Sequence, residues 1–120
     1  MPFDKGEYGE NIAEGYLREK GYEILNRRYR CPCGEIDLVA KLGGTIAFIE
    51  VKLRKSRKAG LAAEAVTKSK RQAIIRTASH YIDKNGGPCG IYRFDVVEVL
   101  GREFYMVNHI ENAFYAESEL

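Results

Sequence analysis

The sequence predicts an α/β sandwich with a mixed central sheet of about five strands. Three observations carry this. A Gly43-Gly44 pair separates two largely apolar runs, which reads as a β-hairpin with a two-residue turn. Apolar residues at 3.6-residue spacing mark one helix before the hairpin and a longer one after it. Two more apolar runs, split by a short Gly101-Arg102 turn, follow the longer helix. That helix can serve as a right-handed crossover, which sets a parallel strand beside the hairpin.

Taken in order, residues 8–20 read as a helix. Ile12, Ala13, Tyr16 and Leu17 form its stripe, and Gly21 supplies its stop. Glu10 precedes Ala13 by three positions and Leu17 by seven, so it shares their inward face; Glu14 lies one position round from it. Two readings of Glu10 stand side by side: an acid stabilised at the positive end of the helix dipole, or a carboxylate serving a site. Residues 22–30 suggest a first strand, interrupted in polarity at Asn26 to Arg28, and the hairpin comes next.

A second helix is expected from residue 61 or 62 to about 84, ended by Asn85-Gly86-Gly87-Pro88. Its stripe holds Ala62, Val66, Ile74, Ala78 and Ile82, and Lys70 falls on it. Either the lysine stem lies along the core while its ammonium reaches water, or the ammonium meets a carboxylate of the hairpin. Strands at residues 91–100 and 103–109 complete the order of one helix, three strands, one helix and two strands.

At 120 residues the chain is expected to form one domain, long enough for a single core. Its 45% apolar and 30% charged content is ordinary for a globular protein. No apolar run approaches the roughly 20 residues of a membrane span. Asp4, Glu7 and Glu10 stand where a signal peptide would carry a basic start and an apolar core, so a cytoplasmic location is the expectation. Three cysteines without a secretion signal suggest reduced thiols. Cys31-Pro-Cys33 has no second close-spaced pair, so Cys89, His80 and His109 do not add up to a zinc signature. Asp95, in Arg-Phe-Asp-Val-Val, reads as a structural acid with Arg93 or a cation of the second helix as partner.

The hairpin holds the chemistry. With the turn at Gly43 and Gly44, Leu42 faces Thr45, Val39 faces Phe48 and Asp37 faces Glu50; one register further, Glu35 faces Lys52. Opposed residues have Cβ atoms roughly 4.5–5.5 Å apart, so the register gathers four charged groups. The strand around Glu50 is otherwise apolar, as central strands are. Buried carboxylates need a partner or a metal, and a self-repelling pair stays ionised at neutral pH only around a cation. An oxygen-rich site with a lysine alongside favours Mg²⁺ or Mn²⁺ over zinc.

The net charge of +2 is small, but its distribution is uneven. Arg27, Arg28 and Arg30 precede the hairpin, and Lys52, Arg54, Lys55, Arg57 and Lys58 follow it; Lys68, Lys70, Arg71 and Arg76 come next. Acidic residues gather in the N-terminal helix and at Glu111, Glu117 and Glu119. Basic runs on either side of a carboxylate pocket fit a phosphate-backbone track, with Arg54, Lys55, Arg57 and Lys58 as the nearest candidates to contact nucleic acid. A solvated charged face is the other reading of such a run.

An acid, about a dozen residues, then Glu-X-Lys on a hairpin resembles the PD-(D/E)XK nuclease motif of restriction-endonuclease-like proteins. The chain as a whole is similar to the YraN-type family, which resembles archaeal Holliday-junction resolvases. The likeness runs through Gly9-Glu10 with Ala13 and Leu17, Gly21-Tyr22, Gly34-Glu35-Ile36-Asp37-Leu38-Val39-Ala40, Phe48-Ile49-Glu50-Val51-Lys52 with Arg54, Lys70, and Arg93-Phe94-Asp95-Val96-Val97. It covers residues 6 to about 109. Ile36 stands where the motif usually has proline, a position that contributes backbone shape and no ligand.

The resemblance implies a three-layer α/β/α restriction-endonuclease-like fold over residues 1–120. It also implies a metal-dependent endonuclease that hydrolyses phosphodiester bonds in DNA, branched DNA included. Glu10, Asp37, Glu50 and Lys52 take catalytic positions, with Lys70 as a helper. Asp37, Glu50 and the main-chain carbonyl of Val51 would hold Mg²⁺ or Mn²⁺, and a homodimer would suit two-fold branched DNA. Two alternatives remain open: a nucleic-acid-binding module that does not cleave, and a metal-dependent enzyme acting on a small phosphate.

Overall fold

The Gly43-Gly44 turn sits at the middle of the architecture. In a computed structural model describing residues 5–58 and 60–116, the chain runs α1 (Lys5–Glu19), β1 (Glu23–Cys31), β2 (Gly34–Leu42), β3 (Thr45–Arg54), α2 (Ala62–Ala65), α3 (Lys68–Lys84), β4 (Ile91–Gly101) and β5 (Tyr105–Phe114). Asp4, Glu117 and Glu119 lie outside the described residues. The five strands form one sheet in chain order, antiparallel except where β4 runs parallel to β3. The crossover that makes this pair parallel is α3, so the expected mixed sheet is present.

Each helix covers one face. α1 buries Gly9, Glu10, Ala13 and Leu17, and its apolar residues join Leu38, Ala40, Ala47, Ile49 and Val97. It stops where Gly21, at φ +97°, lets the Tyr22 amide return to the Leu17 carbonyl at 3.0 Å. On the opposite face Ile74, Ala78 and Tyr81 of α3 pack on Val39, Phe48 and Val96. Together these make a three-layer α/β/α sandwich. Among the described residues no helix is long and apolar enough to cross a membrane.

The expected second helix is two. α2 ends at Ala65, and the Thr67 side chain then accepts the Lys70 amide at 3.2 Å, capping a fresh start. Val66 and Ala62 stay buried regardless, so the apolar stripe continues across the break. The last turn is also longer than two residues: Gly101 pairs with Tyr105, leaving Arg102 to Phe104 as the loop.

One cysteine expectation is corrected. Cys31 and Cys33 are joined by a disulfide and Cys89 alone is free. Cys31 pairs with Gly34 across a tight turn, which brings the two Cα atoms to 5.3 Å, inside bridging range. The histidines are committed elsewhere. His80 Nδ1 lies 2.6 Å from the Tyr29 hydroxyl, and His109 Nε2 lies 2.7 Å from Asp95 Oδ2. Asp95 is fully buried and holds the structural role expected of it, with Arg93 in a two-pronged contact and the Asn112 amide at 3.1 Å. Burial pushes its carboxyl up, but the bonds from His109, Arg93 and Asn112 outweigh that and hold it below the ordinary carboxylate range.

Candidate active site

The hairpin ladder follows the register set by its turn, Leu42 with Thr45 through Leu38 with Ile49, and then stops. The next residue out, Asp37, does not continue it. Its Oδ2 accepts the Val51 amide at 2.8 Å, so a side chain takes the place of a backbone acceptor. On its other side Arg27 pairs with Leu38 and Tyr29 with Ile36, leaving Asp37 opposite Arg28 and both outside the ladder. Arg28 has φ +49°, a left-handed conformation that a non-glycine residue adopts at some cost. β2 therefore twists at Asp37: Ile36 and Val39 both reach the α3 side although a regular strand would put them on opposite faces.

This twist brings the acids together and sends Glu35 away. Asp37 is in hydrogen-bonding and electrostatic contact with Glu50. Glu35, expected opposite Lys52, instead accepts from Arg30 Nε at 2.9 Å. Lys70 of α3 places Nζ 3.4 Å from Glu50 Oε2 while its side chain remains about half exposed, so it both meets a hairpin carboxylate and reaches water. Lys52 is half-buried, follows Glu50 on the same face of β3, and makes no hydrogen bond or ion pair among the described residues.

A cavity of about 260 Å³ opens over the acids, lined by Lys5, Gly6, Gly9, Glu10, Asp37, Glu50, Val51 and Leu53. Glu10 is thus both buried and on the site wall, yet its carboxylate is held by Arg28 Nε at 2.9 Å, with Arg27 at 3.9 Å. Among the described residues no three acidic, histidine or cysteine side chains converge as a metal-binding group, so Glu10 stands apart from the Asp37–Glu50 pair.

The electrostatics of that pair set its chemistry. Burial first, and then the hydrogen bond and charge of Glu50, raise the Asp37 carboxyl to about 8, the Val51 amide and Lys70 pulling the other way without cancelling the rise. The surroundings therefore favour the protonated form of Asp37 far more than water would. Glu50 Oε2 is buried and has no hydrogen-bond partner among the described residues, Lys70 lying within ion-pair reach but out of line. A buried acceptor left over is costly, of order 1–3 kcal/mol. A divalent cation would satisfy it and displace the proton, and an all-oxygen donor set suits Mg²⁺ or Mn²⁺. Asp37 and Glu50 thus supply two oxygen donors of the kind such an ion takes, short of a three-acid group.

A stability prediction follows. Asp37 binds a proton more tightly folded, at about 8, than unfolded, at 3.8. Between those values the native state holds more protons, so metal-free stability should fall as pH rises, by up to about 1.4 kcal/mol per pH unit. Asp37→Asn should flatten this dependence and raise stability at pH 8. Mn²⁺ should raise the wild-type melting temperature through mass action and shift the mutant much less. Calorimetry over pH 5–8, with and without Mn²⁺, reads both effects; an unchanged metal shift in the mutant would remove the pair as ligands.

The basic run beyond β3 divides. Arg54 Nη1 lies 3.3 Å from Glu98 Oε2, and Arg57 donates twice to Glu98 Oε1, at 3.2 and 2.8 Å. Asn108 adds a fourth bond at 3.0 Å. Glu98 is 1% exposed, a buried acid the sequence reading passed over although it interrupts an apolar run just as Glu50 does. Arg54 is nearly buried in this contact, Arg57 remains half exposed, and Lys55 and Lys58 are exposed.

An acid pair at a twisted hairpin, with Lys52 and Lys70 close by, thus stands within an α/β/α sandwich. The chain belongs to UPF0102: the model described as "Uncharacterised protein family UPF0102" matches residues 9–99. A UPF0102 protein of Clostridioides difficile is 47% identical over 111 residues, covering 92% of this chain and 96% of that protein. One of Caldicellulosiruptor saccharolyticus is 44% identical over 112 residues, at 91% and 95% coverage. Another, of Chlorobium chlorochromatii, is 42% identical over 119 residues, at 93% and 92%.

Proposed function

We propose that the protein is a metal-dependent endonuclease hydrolysing phosphodiester bonds of DNA, branched DNA among them, in the cytoplasm. The observation that carries the reading is Asp37 and Glu50 lining one cavity, with a buried Glu50 oxygen that has no hydrogen-bond partner among the described residues. Asp37, Glu50 and the main-chain carbonyl of Val51 would hold Mg²⁺ or Mn²⁺. When bound, such an ion polarises a phosphate and lowers the pKa of a water.

The chain's own residues supply the rest. Lys52, with no protein partner among the described residues, is available to orient the attacking water or to offset charge developing on the phosphate. Lys70 would hold Glu50 in place, and Glu10, fixed by Arg28, would shape the cavity wall. Lys55 and Lys58, exposed just past β3, are the cations free to meet a DNA backbone, with Arg57 beside them. A two-fold dimer would match branched DNA.

The test is a cleavage assay with plasmid, branched and single-stranded DNA in Mn²⁺. Cleavage lost on chelation and in Glu50→Gln supports the nuclease. Binding without cleavage in any metal would leave a nucleic-acid-binding module; neither, with turnover of a small phosphate ester, would leave the small-phosphate enzyme.

A further inference from the structure

Next to the carboxylate cavity lies a larger one of about 480 Å³, lined by Lys5, Tyr8, Leu53, Arg54, Lys55, Gly101, Arg102 and Tyr105. The two share Lys5 and Leu53 as lining residues, so they lie side by side. Among the described residues no acidic side chain lines the larger part. Arg54 is committed to Glu98, but Lys5, Lys55 and Arg102 make no ion pair among the described residues. Aromatic rings stand among these cations. Tyr8 and Tyr105 line the cavity and meet edge to face with ring centroids 6.2 Å apart; Phe104, which is not part of the lining, stands in the loop between the lining residues Arg102 and Tyr105 and is 89% exposed.

Phe104 is held outward by a tight turn. Gly101 has φ +137°, and a Cβ there would come within 2.1 Å of the Phe104 carbonyl oxygen, so only glycine allows the chain to fold back this closely. The backbone at Phe104 is therefore set by this turn, and its ring projects into solvent.

We infer that this groove takes the unpaired bases of a single-stranded DNA segment, stacking them on Phe104 and Tyr105 while Lys5, Lys55 and Arg102 meet the phosphates. A basic track interleaved with exposed aromatic rings is the pattern that binds single strands, because every base offers a π-face once it leaves the duplex. Within a duplex those faces are covered by neighbouring bases, so Phe104 would have nothing to stack on. A second copy of the chain is the weaker occupant: two-fold docking of this face on itself would set Lys5, Lys55 and Arg102 against their own copies. The inference rests on the nuclease reading and narrows it. The strand that reaches the acids would carry an unpaired arm, as at a flap, fork or opened junction. Phe104 and Tyr105 also lie past the matched family segment, which ends at residue 99.

The experiment measures binding apart from cleavage. In EDTA, at fixed salt, labelled oligo(dT) of about twelve nucleotides, within the span one such groove accommodates, is titrated against a blunt duplex of equal length. Phe104→Ala should weaken single-strand binding about tenfold, the loss of one stacked base, and leave duplex binding within twofold. Phe104→Trp should keep the affinity. It would also be the only tryptophan of the chain, and its emission should be quenched as the oligonucleotide binds.

Unchanged affinity in Phe104→Ala, equal losses on both DNAs, or an unquenched tryptophan would overturn the inference. A change in solution mass with no change in DNA binding would overturn it in favour of an interface between copies. Because no metal is present, these readouts survive a failure of the nuclease reading: absent cleavage with intact stacking removes only the hydrolysis. Cleavage indifferent to Phe104 removes only the stacking surface.

Discussion

Lys52→Ala is expected to slow DNA cleavage about 10²–10³-fold at saturating DNA, the usual cost of deleting one group that stabilises developing charge. DNA affinity should stay within a few-fold, because an interaction made in the transition state lowers kcat without weakening ground-state binding. The competing account makes Lys52 a structural partner of Glu98, its neighbour across β3 and β4. Glu98 already accepts from Arg54, Arg57 and Asn108, so it has little need of a further cation. A partly exposed pair of that kind is worth about 0–1 kcal/mol. It would give Lys52→Ala a small melting shift and normal cleavage. Single-turnover kinetics and melting of the one variant separate the two accounts.

The largest effect on stability is expected at Glu98. Glu98→Ala removes the acceptor of four bonds and leaves the nearly buried Arg54 guanidinium without its partner. Breaking a buried ion pair from one side costs about 3–5 kcal/mol, which urea denaturation resolves easily. The Arg57 bond holds the Glu98 carboxyl below its ordinary 4.5, against the opposing effect of burial. Its contribution is therefore complete above about pH 4.5 and lost as pH falls through the lower folded value. A Glu98→Ala protein as stable as wild type would mean the cluster is solvated and loose. The same geometry governs how the basic run is dissected: removing Arg54 or Arg57 unsettles Glu98, whereas Lys55 and Lys58 report on DNA without that complication.

Much of the site was legible because two periodicities are rigid. A two-residue turn fixes the pairs behind it as far as Leu38 with Ile49, so the nearness of Asp37 to Glu50, one step further, could be counted from Gly43 and Gly44. Helical spacing placed Lys70 on the stripe of Ile74 and Ala78, and its partner is the hairpin acid. What the count could not supply was the twist at Asp37. It depends on the left-handed Arg28 across the strand and on a side chain capping the Val51 amide, neither of which alternation encodes. Glu35 therefore went to Arg30, away from Lys52. The break before α3 had a signal that was passed over, a threonine at position 67 able to cap Lys70. Glu98 had one too, a lone acid in an apolar strand. Its arginine partners, at the end of β3 and just past it, stand 44 and 41 positions away, beyond the reach of local pattern.

The chain-order sheet also bears on how the molecule assembles in time. Every strand pair but one joins neighbours through a short turn, and such local closures form in about 1–10 μs. The exception is β3 with β4, whose partners, such as Phe48 and Phe94, stand 46 positions apart. Closing that span costs chain entropy before any contact is gained, and non-local pairing of this kind slows folding. The slow event is then the docking of a preformed three-strand unit onto a two-strand unit, with α3 as the strap between them. Asp37 and Glu50 would lie together before that event, while Lys70 and the Glu98 cluster arrive with it. A nascent chain would thus possess its acid pair before it possessed a site.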